Sequence, residues 1–396
     1  MHGFISIPDE LCFDLIEHPY FQRLRRIKQL GLTHLVYPGA LHTRFHHTLG
    51  AMHLMVQALS ILRSKGIAIT PQEEQAAIVA ILLHDIGHGP FSHALEHSIV
   101  SHTSHEELSG LFMNQLNHRF NGQLETALQI FNNQHPKTFL HQLVSGQLDV
   151  DRLDYLRRDS YFTGVSEGMI GTERLLKMLH VEDNQLVVES KGMYSIEHFI
   201  SARHIMYWQV YLHKTVLAAE SLLLQILNRA KTLARAGETL FATPALLRFL
   251  QNDYRSSHFQ NDPSLLASFA KLDDFDVFSC IKEWADHPDK VLSLLSSFLV
   301  NRKLFKIKMQ DTEFEPNQLE ELKKQACQHF GLQTEEGSYF VYAGVAENVA
   351  YDTGVDRIRM RFDAGDVREL PLAGVGLNQQ YLAMPVKKHY LCYPRF

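Results

Sequence analysis

The sequence has few cysteines and no long apolar run. Its four cysteines, Cys12, Cys280, Cys327 and Cys392, lie far apart and form no CxxC pair, which excludes a disulfide-rich scaffold. The longest uninterrupted apolar run, residues 76–83, is much shorter than the roughly 20 residues that a membrane span needs. The opening MHGFISIPDELCF lacks the basic region and apolar stretch of a secretory signal. We therefore expect a reduced, cytoplasmic, globular protein without a membrane partner.

The chain also lacks a large excess of charge of either sign. It has 38 Lys and Arg against 44 Asp and Glu, a net charge of −6. A dedicated nucleic-acid binder would carry a basic field, so nothing here indicates a nucleic-acid partner. With 396 residues, of which 45% are apolar, the chain is long enough to bury a core and suggests about two or three domains.

Helical periodicity dominates approximately the first 235 residues. Between Phe45 and Arg63, small and apolar residues recur on one helical face, and His47 lies on that face whereas His46 is turned roughly 100° away from it. A second helix starts at Pro71 and runs through an apolar stretch, which predicts a buried helix. Further helices are predicted over 104–119, 122–132, 138–158, 171–180 and 195–233, with a hairpin of 179–182 and 185–190.

The pattern changes after these helices. Residues 236–336 predict a second helical region punctuated by prolines, and residues 337–396 contain the β-rich runs SYFVYAGV, RIRMRF and YLAMPV. The predicted fold class is therefore mainly α. It comprises a helical core over 1–235, a helical region over 236–336 and a small α/β or β-rich C-terminal lobe over 337–396.

Histidine is abundant, with 24 in the chain and 13 of them before residue 106. Either chance enrichment on solvated helix faces or a metal site accounts for this number. The strongest local signal is LLHDIGHGPFSHALEH (82–97), in which His84 and Asp85 end the predicted buried helix. Burying such a pair is costly unless its charge and lone pairs are satisfied, and a divalent cation satisfies both. The alternative is a helix C-cap in which Asp85 only hydrogen-bonds its neighbours.

Two further segments offer ligands. His47 points into the core and needs a partner there, whereas we expect His46 to be solvated. The segment DVDRLDYLRRD adds four acids: Asp149, Asp151, Asp154 and Asp159. Periodicity alone does not choose among them, although Asp151 and Tyr155 share a helical face.

The order His47, then His84-Asp85, then Asp151 resembles the H…HD…D signature of the HD superfamily of metal-dependent phosphohydrolases. Four segments resemble, in order and spacing, its deoxynucleoside triphosphate triphosphohydrolase branch: FQRLRRIKQLG, YPGALHTRFHHTLG, LLHDIGHGPFSH and DVDRLDYLRRD. RHIMYWQVYLHK (203–214) is a weaker fifth match. The resemblance covers roughly residues 1–235. It implies an HD-domain helical core and hydrolysis of a dNTP to deoxynucleoside and inorganic triphosphate, with water attacking the α-phosphorus.

By this resemblance the metal ligands are His47, His84, Asp85 and Asp151. Two nitrogen and two oxygen donors suit Mn, Fe, Co, Ni or Zn, and Mg through the substrate phosphates. The resemblance also implies the following catalytic residues: His88, His93, Glu96, His105 and Glu106. A histidine held by a carboxylate, as His105 would be by Glu106, is suited to general acid or base catalysis.

The resemblance further implies the following contacts to a nucleotide substrate: Gln29, Arg44, Arg152, Tyr155, Asp159, Arg203 and Tyr211. The planar guanidinium group of arginine suits phosphate oxygens, and Tyr155 and Asp159 match residues that crowd the sugar and favour deoxyribose. This branch includes a vertebrate dNTP triphosphohydrolase, and Tyr207 and Leu212 stand where that relative has a histidine and a glutamine near sugar and base, which leaves the base preference open.

Two other functions stay open at this point. The same metal site would serve an HD phosphohydrolase that acts on another phosphoester, such as a nucleoside monophosphate or an oligonucleotide end. A non-catalytic nucleotide sensor is the second alternative, although the complete ligand set argues against it.

A homo-oligomer, dimeric or larger, is also expected. Relatives in this branch assemble through the helical HD lobe. The segment FQRLRRIKQLG carries an apolar stripe (Phe21, Leu24, Ile27) beside a basic one (Arg23, Arg26), and such a helix either covers its own core or meets a partner.

Overall fold

The computed structural model describes residues 1–92, 96–100, 103–348, 351, 357–362, 366–370 and 386–396, and it confirms the mainly α fold. The α-helices of these residues are Glu10–Glu17, Pro19–Gln22, Arg44–Ser64, Pro71–Leu83, Glu96–Ile99, His105–Arg119, Glu125–Phe131, Thr138–Val144, Val150–Thr163, Thr172–Met178, Met193–Met206, Lys214–Arg235, Pro244–Gln251, Ser256–Asn261, Pro263–Phe269, Asp274–Trp284, Lys290–Val300 and Pro316–Phe330. Short 3₁₀ turns are Arg23–Arg26, Gly31–Leu35, Ser166–Gly168, Ser190–Gly192 and Thr334–Tyr339.

The buried helix Pro71–Leu83 begins where its sequence signals place it. Thr70 Oγ1 accepts a hydrogen bond from the Glu73 amide (3.2 Å), and the Glu73 carboxylate accepts one from the Thr70 amide (2.8 Å). This reciprocal cap and the proline in the first turn fix the start of the helix. Residues 76–83 are all buried, so the helix carries His84 at its C-cap into the interior.

Helix Arg44–Ser64 packs against Pro71–Leu83 on one side and against Val150–Thr163 on another. It is therefore buried on more than the single face that its small residues predicted. His46 is exposed, as expected, and its ring caps the start of its own helix by accepting a hydrogen bond from the Thr43 amide (3.1 Å).

The prediction of one helix over 138–158 is wrong. The structure has two helices here, Thr138–Val144 and Val150–Thr163. The second begins at Val150 because Asp149 caps it by accepting a hydrogen bond from the Arg152 amide (2.7 Å). The apolar spacing continues across this break, so periodicity alone did not reveal it.

The prediction of one helix over 195–233 is also wrong. Met193–Met206 runs into a π-helical turn, Tyr207–Tyr211, and His213 then caps the helix Lys214–Arg235. Such π turns often occur at functional sites, and this one begins and ends with a tyrosine, Tyr207 and Tyr211.

The described residues form seven short strands: β1 Leu179–Glu182, β2 Gln185–Glu189, β3 Lys306–Gln310, β4 Tyr342–Asn348, β5 Arg359–Arg361, β6 Val367–Glu369 and β7 Val386–Tyr393. The predicted β1–β2 hairpin is present, and β2 continues into a sheet by pairing in parallel with β5, which pairs with β6. A second, antiparallel sheet has the order β3–β7–β4. Strands that follow residue 337 therefore pair with strands of residues 1–235 and of residues 236–336. Most of YLAMPV lies outside the described residues, and the division into three domains stays a prediction.

The segment FQRLRRIKQLG does not form one continuous helix. Arg23, which belongs to its predicted basic stripe, does not lie on the surface. This side chain is fully buried and donates hydrogen bonds to the carbonyl groups of Ile86 (2.7 Å), His88 (2.8 Å) and Leu272 (3.2 Å). The apolar stripe that begins at Phe21 is likewise buried in the core of its own chain. This segment therefore covers its own core.

Over the part of the chain that the structure describes, no single helix is long and apolar enough to cross a membrane. Among the same described residues, one bent pair, Ser190–Tyr211 and Lys214–Arg235 with a 55° angle between its members, reaches the required length and composition together.

Candidate metal centre and adjoining cavity

Three helices bring two histidines and one carboxylate to a common point. His47 comes from the first turns of Arg44–Ser64, His84 caps Pro71–Leu83, and Asp151 lies in the first turn of Val150–Thr163. Asp151 Oδ1 lies 2.9 Å from His47 Nε2 and 3.5 Å from His84 Nε2. One ligand atom from each residue falls within 4.8 Å of the others, which is compact enough to hold one ion.

Asp85 lies beside this group, so all four predicted ligands gather at one place. Its Oδ1 is 3.4 Å from His84 Nε2, and its Oδ2 is 3.7 Å from His47 Nε2. The guanidinium group of Arg44 contacts Oδ2. Burial raises the pKa of the Asp85 carboxyl, but Arg44 and the neighbouring rings outweigh burial and hold that pKa well below its ordinary value.

Both imidazole rings are oriented by an acceptor behind them. His84 Nδ1 lies 2.6 Å from the carbonyl oxygen of Ile81, and His47 Nδ1 lies 2.9 Å from Asp154 Oδ2. Because a carbonyl and an ionised carboxylate only accept, each Nδ1 carries a hydrogen, and Nε2 is the ring atom that faces the centre and would bind a cation. Both Nε2 atoms are buried and face the carboxylates of Asp85 and Asp151, so two nitrogen and two oxygen donors surround the point where a divalent cation would bind.

The charges around His47 also favour a cation at this point. Burial lowers the pKa of His47, but hydrogen bonds with Asp151 and Asp154 raise it overall to about 10. Burial likewise raises the pKa of Asp151, and hydrogen bonds with His47 and His84 reverse that effect and lower it. The carboxylates therefore attract positive charge into the centre, which a metal ion supplies in place of a proton.

The four acids that the sequence left undecided have different tasks. Asp149 caps its helix, Asp151 faces the two histidine rings, Asp154 holds His47 from behind, and Asp159 lies further along the helix at the cavity wall. Sequence reasoning did not identify the role of Asp154. The available signal was its spacing from Asp151 and from Arg158, which pairs with it at i+4.

Gly50 permits this arrangement through its lack of a side chain. A Cβ atom on Gly50 would lie 2.0 Å from Asp154 Oδ1 and 2.2 Å from a terminal nitrogen of Arg158. Any other residue would push this ion pair away from His47, so the close approach of the two helices depends on glycine.

Two of the predicted catalytic histidines lie on the other side of Asp85. His88 Nε2 is 3.3 Å from Asp85 Oδ1, and the His88 and His105 rings stack with centroids 3.8 Å apart. His105 Nε2 is 3.3 Å from a carboxylate oxygen of Glu106. Asp85, His88 and His105 also lie close enough together to form a second ligand group. Burial and the charge of Arg44 hold the pKa of His88 well below its ordinary value, so its ring is neutral.

The remaining predicted catalytic residues are not described in full. His93 lies outside the described residues, and Glu96 is described only through its backbone in the helix Glu96–Ile99. Their roles stay predictions.

A cavity of about 490 Å³ adjoins the metal centre, which is a typical size for a small-molecule site. The predicted site residues that line it are Gln29, Arg44, Asp85, His88, His105, Asp151, Tyr155, Asp159 and Tyr211, and Tyr207 and Leu212 line it too. The cavity therefore runs from the candidate metal ligands to the predicted sugar contacts.

A strained loop places Arg44 at this junction. Phe91 and Ser92 both have positive φ angles, 56° and 52°, which cost free energy for residues other than glycine. Asp274 holds the loop by accepting a hydrogen bond from the Phe91 amide (2.8 Å). Ser92 Oγ in turn accepts a hydrogen bond from Arg44 Nε (2.9 Å) and donates one to the Lys28 carbonyl (3.0 Å).

The far wall of the cavity is a hydrogen-bonded polar group around Asp159. One of its carboxylate oxygens lies 2.7 Å from His42 Nε2, and the other accepts a hydrogen bond from the Tyr211 hydroxyl (2.8 Å). The Tyr155 and Tyr211 rings meet edge to face, 6.2 Å apart. Burial and the charge of Asp159 raise the pKa of Tyr211 well above its ordinary value, so its hydroxyl stays a donor.

Arg152 and Arg203 do not line the cavity as the described residues form it. Arg152 Nε donates to Asp149 Oδ2 (3.1 Å), and Arg203 donates to the side-chain oxygen of Gln147 (3.5 Å). Their predicted contacts to substrate phosphates remain predictions.

Seven further cavity residues were not selected from the sequence, namely Leu30, Gly31, Thr33, Phe91, Ser92, Leu217 and Glu220. Burial raises the pKa of Glu220 to about 8, so this carboxyl group is largely neutral at pH 7. Leu217 and Glu220 are three residues apart on one helix, and this spacing was the available signal.

Two family models match the chain. The model of the HD domain matches residues 44–159, and the model of an HD associated region matches residues 170–240. The first range contains the four candidate ligands.

The chain is also similar to known proteins and structures over most of its length. It is 52% identical to a phosphohydrolase from Bacteroides thetaiotaomicron VPI-5482, whose crystal structure matches with a TM-score of 0.96 over 99% of this chain and 98% of that one. It is 33% identical to the protein YwfO of Bacillus subtilis, over 89% of this chain and 79% of YwfO. The deoxynucleoside triphosphate triphosphohydrolase SAMHD1 homolog of Dictyostelium discoideum is 30% identical over 61% of this chain, which spans 50% of that relative.

Proposed function

The chain belongs to the HD superfamily of phosphohydrolases, and from this premise we propose that it hydrolyses deoxynucleoside triphosphates to deoxynucleoside and inorganic triphosphate. The observation that carries the proposal is the continuity of the candidate metal centre with the cavity, since Asp85 and Asp151 belong to both. The similarity to the triphosphohydrolase of Dictyostelium discoideum, over half of that protein, supports the substrate class.

We propose His47, His84, Asp85 and Asp151 as the ligands of a divalent ion. When bound, the ion acts as a Lewis acid on a phosphate oxygen and orients the substrate. Two imidazole and two carboxylate donors suit Mn, Fe, Co, Ni or Zn, and Mg through substrate phosphates.

Arg44 is the proposed phosphate contact next to the ligands. Its guanidinium group contacts Asp85 with one nitrogen and Ser92 with another while it lines the cavity. A planar group held on two sides keeps its remaining N–H donors fixed for phosphate oxygens, and its charge offsets that of the triphosphate.

The proposed reaction forms one bond and breaks one. A water oxygen bonds to the α-phosphorus, the bond from this phosphorus to the 5′-oxygen breaks, and the deoxynucleoside leaves after its 5′-oxygen gains a proton. His105 lines the cavity and is backed by Glu106, so it is suited to carry a proton between water and leaving group. His88 lies between His105 and Asp85 and positions both.

The wall formed by Tyr155, Asp159 and Tyr211 is the proposed sugar site. Both Asp159 oxygens are already held, by His42 and by the Tyr211 hydroxyl. These hydrogen bonds hold Asp159 and Tyr211 beside the Tyr155 ring, and a wall held in this way would crowd an additional 2′-hydroxyl, so deoxyribose is preferred over ribose. Gln29 and the neighbouring Leu30 line the same cavity and are the proposed contacts near the sugar and base.

Product identification tests the proposed function directly. The metal-free protein is incubated with each dNTP and each candidate metal, and Asp151→Ala serves as the control without one ligand. Release of intact inorganic triphosphate and deoxynucleoside is expected. Turnover of a nucleoside monophosphate or an oligonucleotide end instead would favour another phosphoesterase, and binding without turnover across all metals would favour a sensor.

We also propose a homo-oligomer, dimeric or larger, and a cytoplasmic location. Both now rest on the resemblance and on the composition, because the Phe21 stripe is buried within its own chain. Light scattering at micromolar concentration tests the first, and a monomeric mass with or without metal and dNTP would contradict it.

A further inference from the structure

The carboxylate that orients His47 is itself held by a residue from the far end of the sequence. His2 Nε2 lies 2.7 Å from Asp154 Oδ1, across a separation of 152 residues. The side chains of His2 and Asp154 are 5% and 0% exposed. This partly buried hydrogen bond between distant segments connects His2 to the ring of His47 through a single intervening side chain, that of Asp154.

Asp154 accepts a full set of hydrogen bonds. Its Oδ1 accepts from His2 and from a terminal nitrogen of Arg158 (3.0 Å), and its Oδ2 accepts from His47 Nδ1 (2.9 Å) and from Arg158 Nε (2.7 Å). A carboxylate has about four acceptor positions, so the group cannot turn without breaking a bond.

His2 is placed by more than this one contact. Its ring meets that of His53 with centroids 5.3 Å apart, and a side-chain nitrogen of Arg157 donates to the Met1 carbonyl (3.4 Å). Phe4, only two residues later, is fully exposed. His2 is therefore held by contacts that its exposed neighbour Phe4 does not share.

We propose that His2 is a positioning residue for the metal centre: it fixes the Asp154 carboxylate, which fixes the His47 ring, and so sets the affinity and geometry of the bound ion. The inference rests on the ligand role of His47 in the proposed function. Loss of an outer partner of a ligating histidine usually weakens metal binding by about 10–100-fold. His2 acts one contact further out and Arg158 remains, so we expect a loss of about tenfold, near the lower end of that range.

Cobalt(II) binding to the full chain tests this inference. His2→Phe keeps an aromatic ring but removes the donor, whereas His2→Gln keeps a donor, and Phe4→Ala is the control in the same segment. Calorimetry gives the dissociation constant, and the visible spectrum of Co²⁺ reports the ligand geometry. We expect His2→Phe to weaken Co²⁺ binding about tenfold and alter the spectrum, His2→Gln to restore much of both, and Phe4→Ala to change neither.

Unchanged affinity and spectrum in His2→Phe would overturn the proposal and leave His2 a packing residue. If circular dichroism shows that His2→Phe does not fold, His2→Ala replaces it with the same expected and contrary results. Absence of Co²⁺ binding to the unaltered chain would overturn both the ligand set and the role of His2. Binding of Co²⁺ without hydrolysis of any dNTP would contradict only the proposed substrate, because the dissociation constants still decide the role of His2.

Discussion

The substitution Asp154→Asn replaces one carboxylate oxygen with an NH₂ group and leaves the side-chain shape unchanged. In either orientation of the amide, that NH₂ group faces two N–H donors. In one orientation the NH₂ group faces His2 and a terminal nitrogen of Arg158. In the other orientation it faces His47 Nδ1 and Arg158 Nε. Two donors would lose their acceptor inside the protein.

The magnitude follows from burial. Asp154 is fully buried and the Arg158 side chain is 7% exposed, so the uncompensated guanidinium group cannot recover its hydration. Removing one partner of a buried ion pair costs about 3–5 kcal/mol, a large part of a typical total stability of about 5–15 kcal/mol. Misorientation of His47 should weaken metal binding by about 10–100-fold.

Two measurements separate these effects. Urea unfolding of the metal-free protein gives the change in the free energy of unfolding, and calorimetry with Co²⁺ gives the change in affinity. Asp149→Asn is the matched control, because Asp149 is buried on the same helix but serves as its N-cap. Asparagine caps helices about as well as aspartate, so Asp149→Asn should retain the original Co²⁺ affinity.

An Asp154→Asn protein that is less stable but binds Co²⁺ with unchanged affinity would refute the reasoning. Asp154 would then only stabilise the packing of two helices. Equal losses of affinity in Asp149→Asn and Asp154→Asn would refute it too, since the effect would belong to the helix rather than to the His47 contact.

Three further predictions concern the ligands and their charges. Asp151→Ala should abolish metal binding and hydrolysis, whereas His46→Ala, which alters an exposed capping ring, should keep its full metal content in elemental analysis. Arg44→Ala should reduce turnover about 10- to 100-fold, because a charged contact to phosphate contributes about 1.5–3 kcal/mol. The variant should keep its metal, and unchanged kinetics would assign Arg44 a structural role only. Because the pKa of His47 is raised to about 10, its ring carries a proton at neutral pH that the metal must displace. Metal affinity should therefore increase with pH by up to about tenfold per unit below that pKa, and an affinity independent of pH would contradict this assignment.

Local signals predicted the helix Pro71–Leu83 and the β1–β2 hairpin well. A cap, a proline in the first turn and an apolar run act within a few residues of one another, so they are legible in the sequence. The break before Val150 and the π turn Tyr207–Tyr211 were missed. At both places the apolar spacing continues while a side-chain cap or an extra residue redirects the backbone.

Arg23 shows a second kind of feature that the sequence does not reveal, namely the burial of a charged side chain. In the sequence, this arginine is indistinguishable from a solvated cation on a helix. Three carbonyl groups, two of them in the turn that follows His84 and Asp85, accept its hydrogen bonds. Only the meeting of distant backbone segments makes burial of that charge favourable.

The sequence by itself determined the kinds of ligand atom and the helices that carry them, because imidazole and carboxylate chemistry and helical phase are local properties. Periodicity left open which acid faces the histidines, and only the resemblance named Asp151. The tertiary structure alone decided that Asp154 stands behind His47 and that His2 supports Asp154. These roles depend on which nitrogen and oxygen atoms approach within hydrogen-bonding distance. That approach is set by the packing of separate helices, which the missing side chain of Gly50 allows to come close.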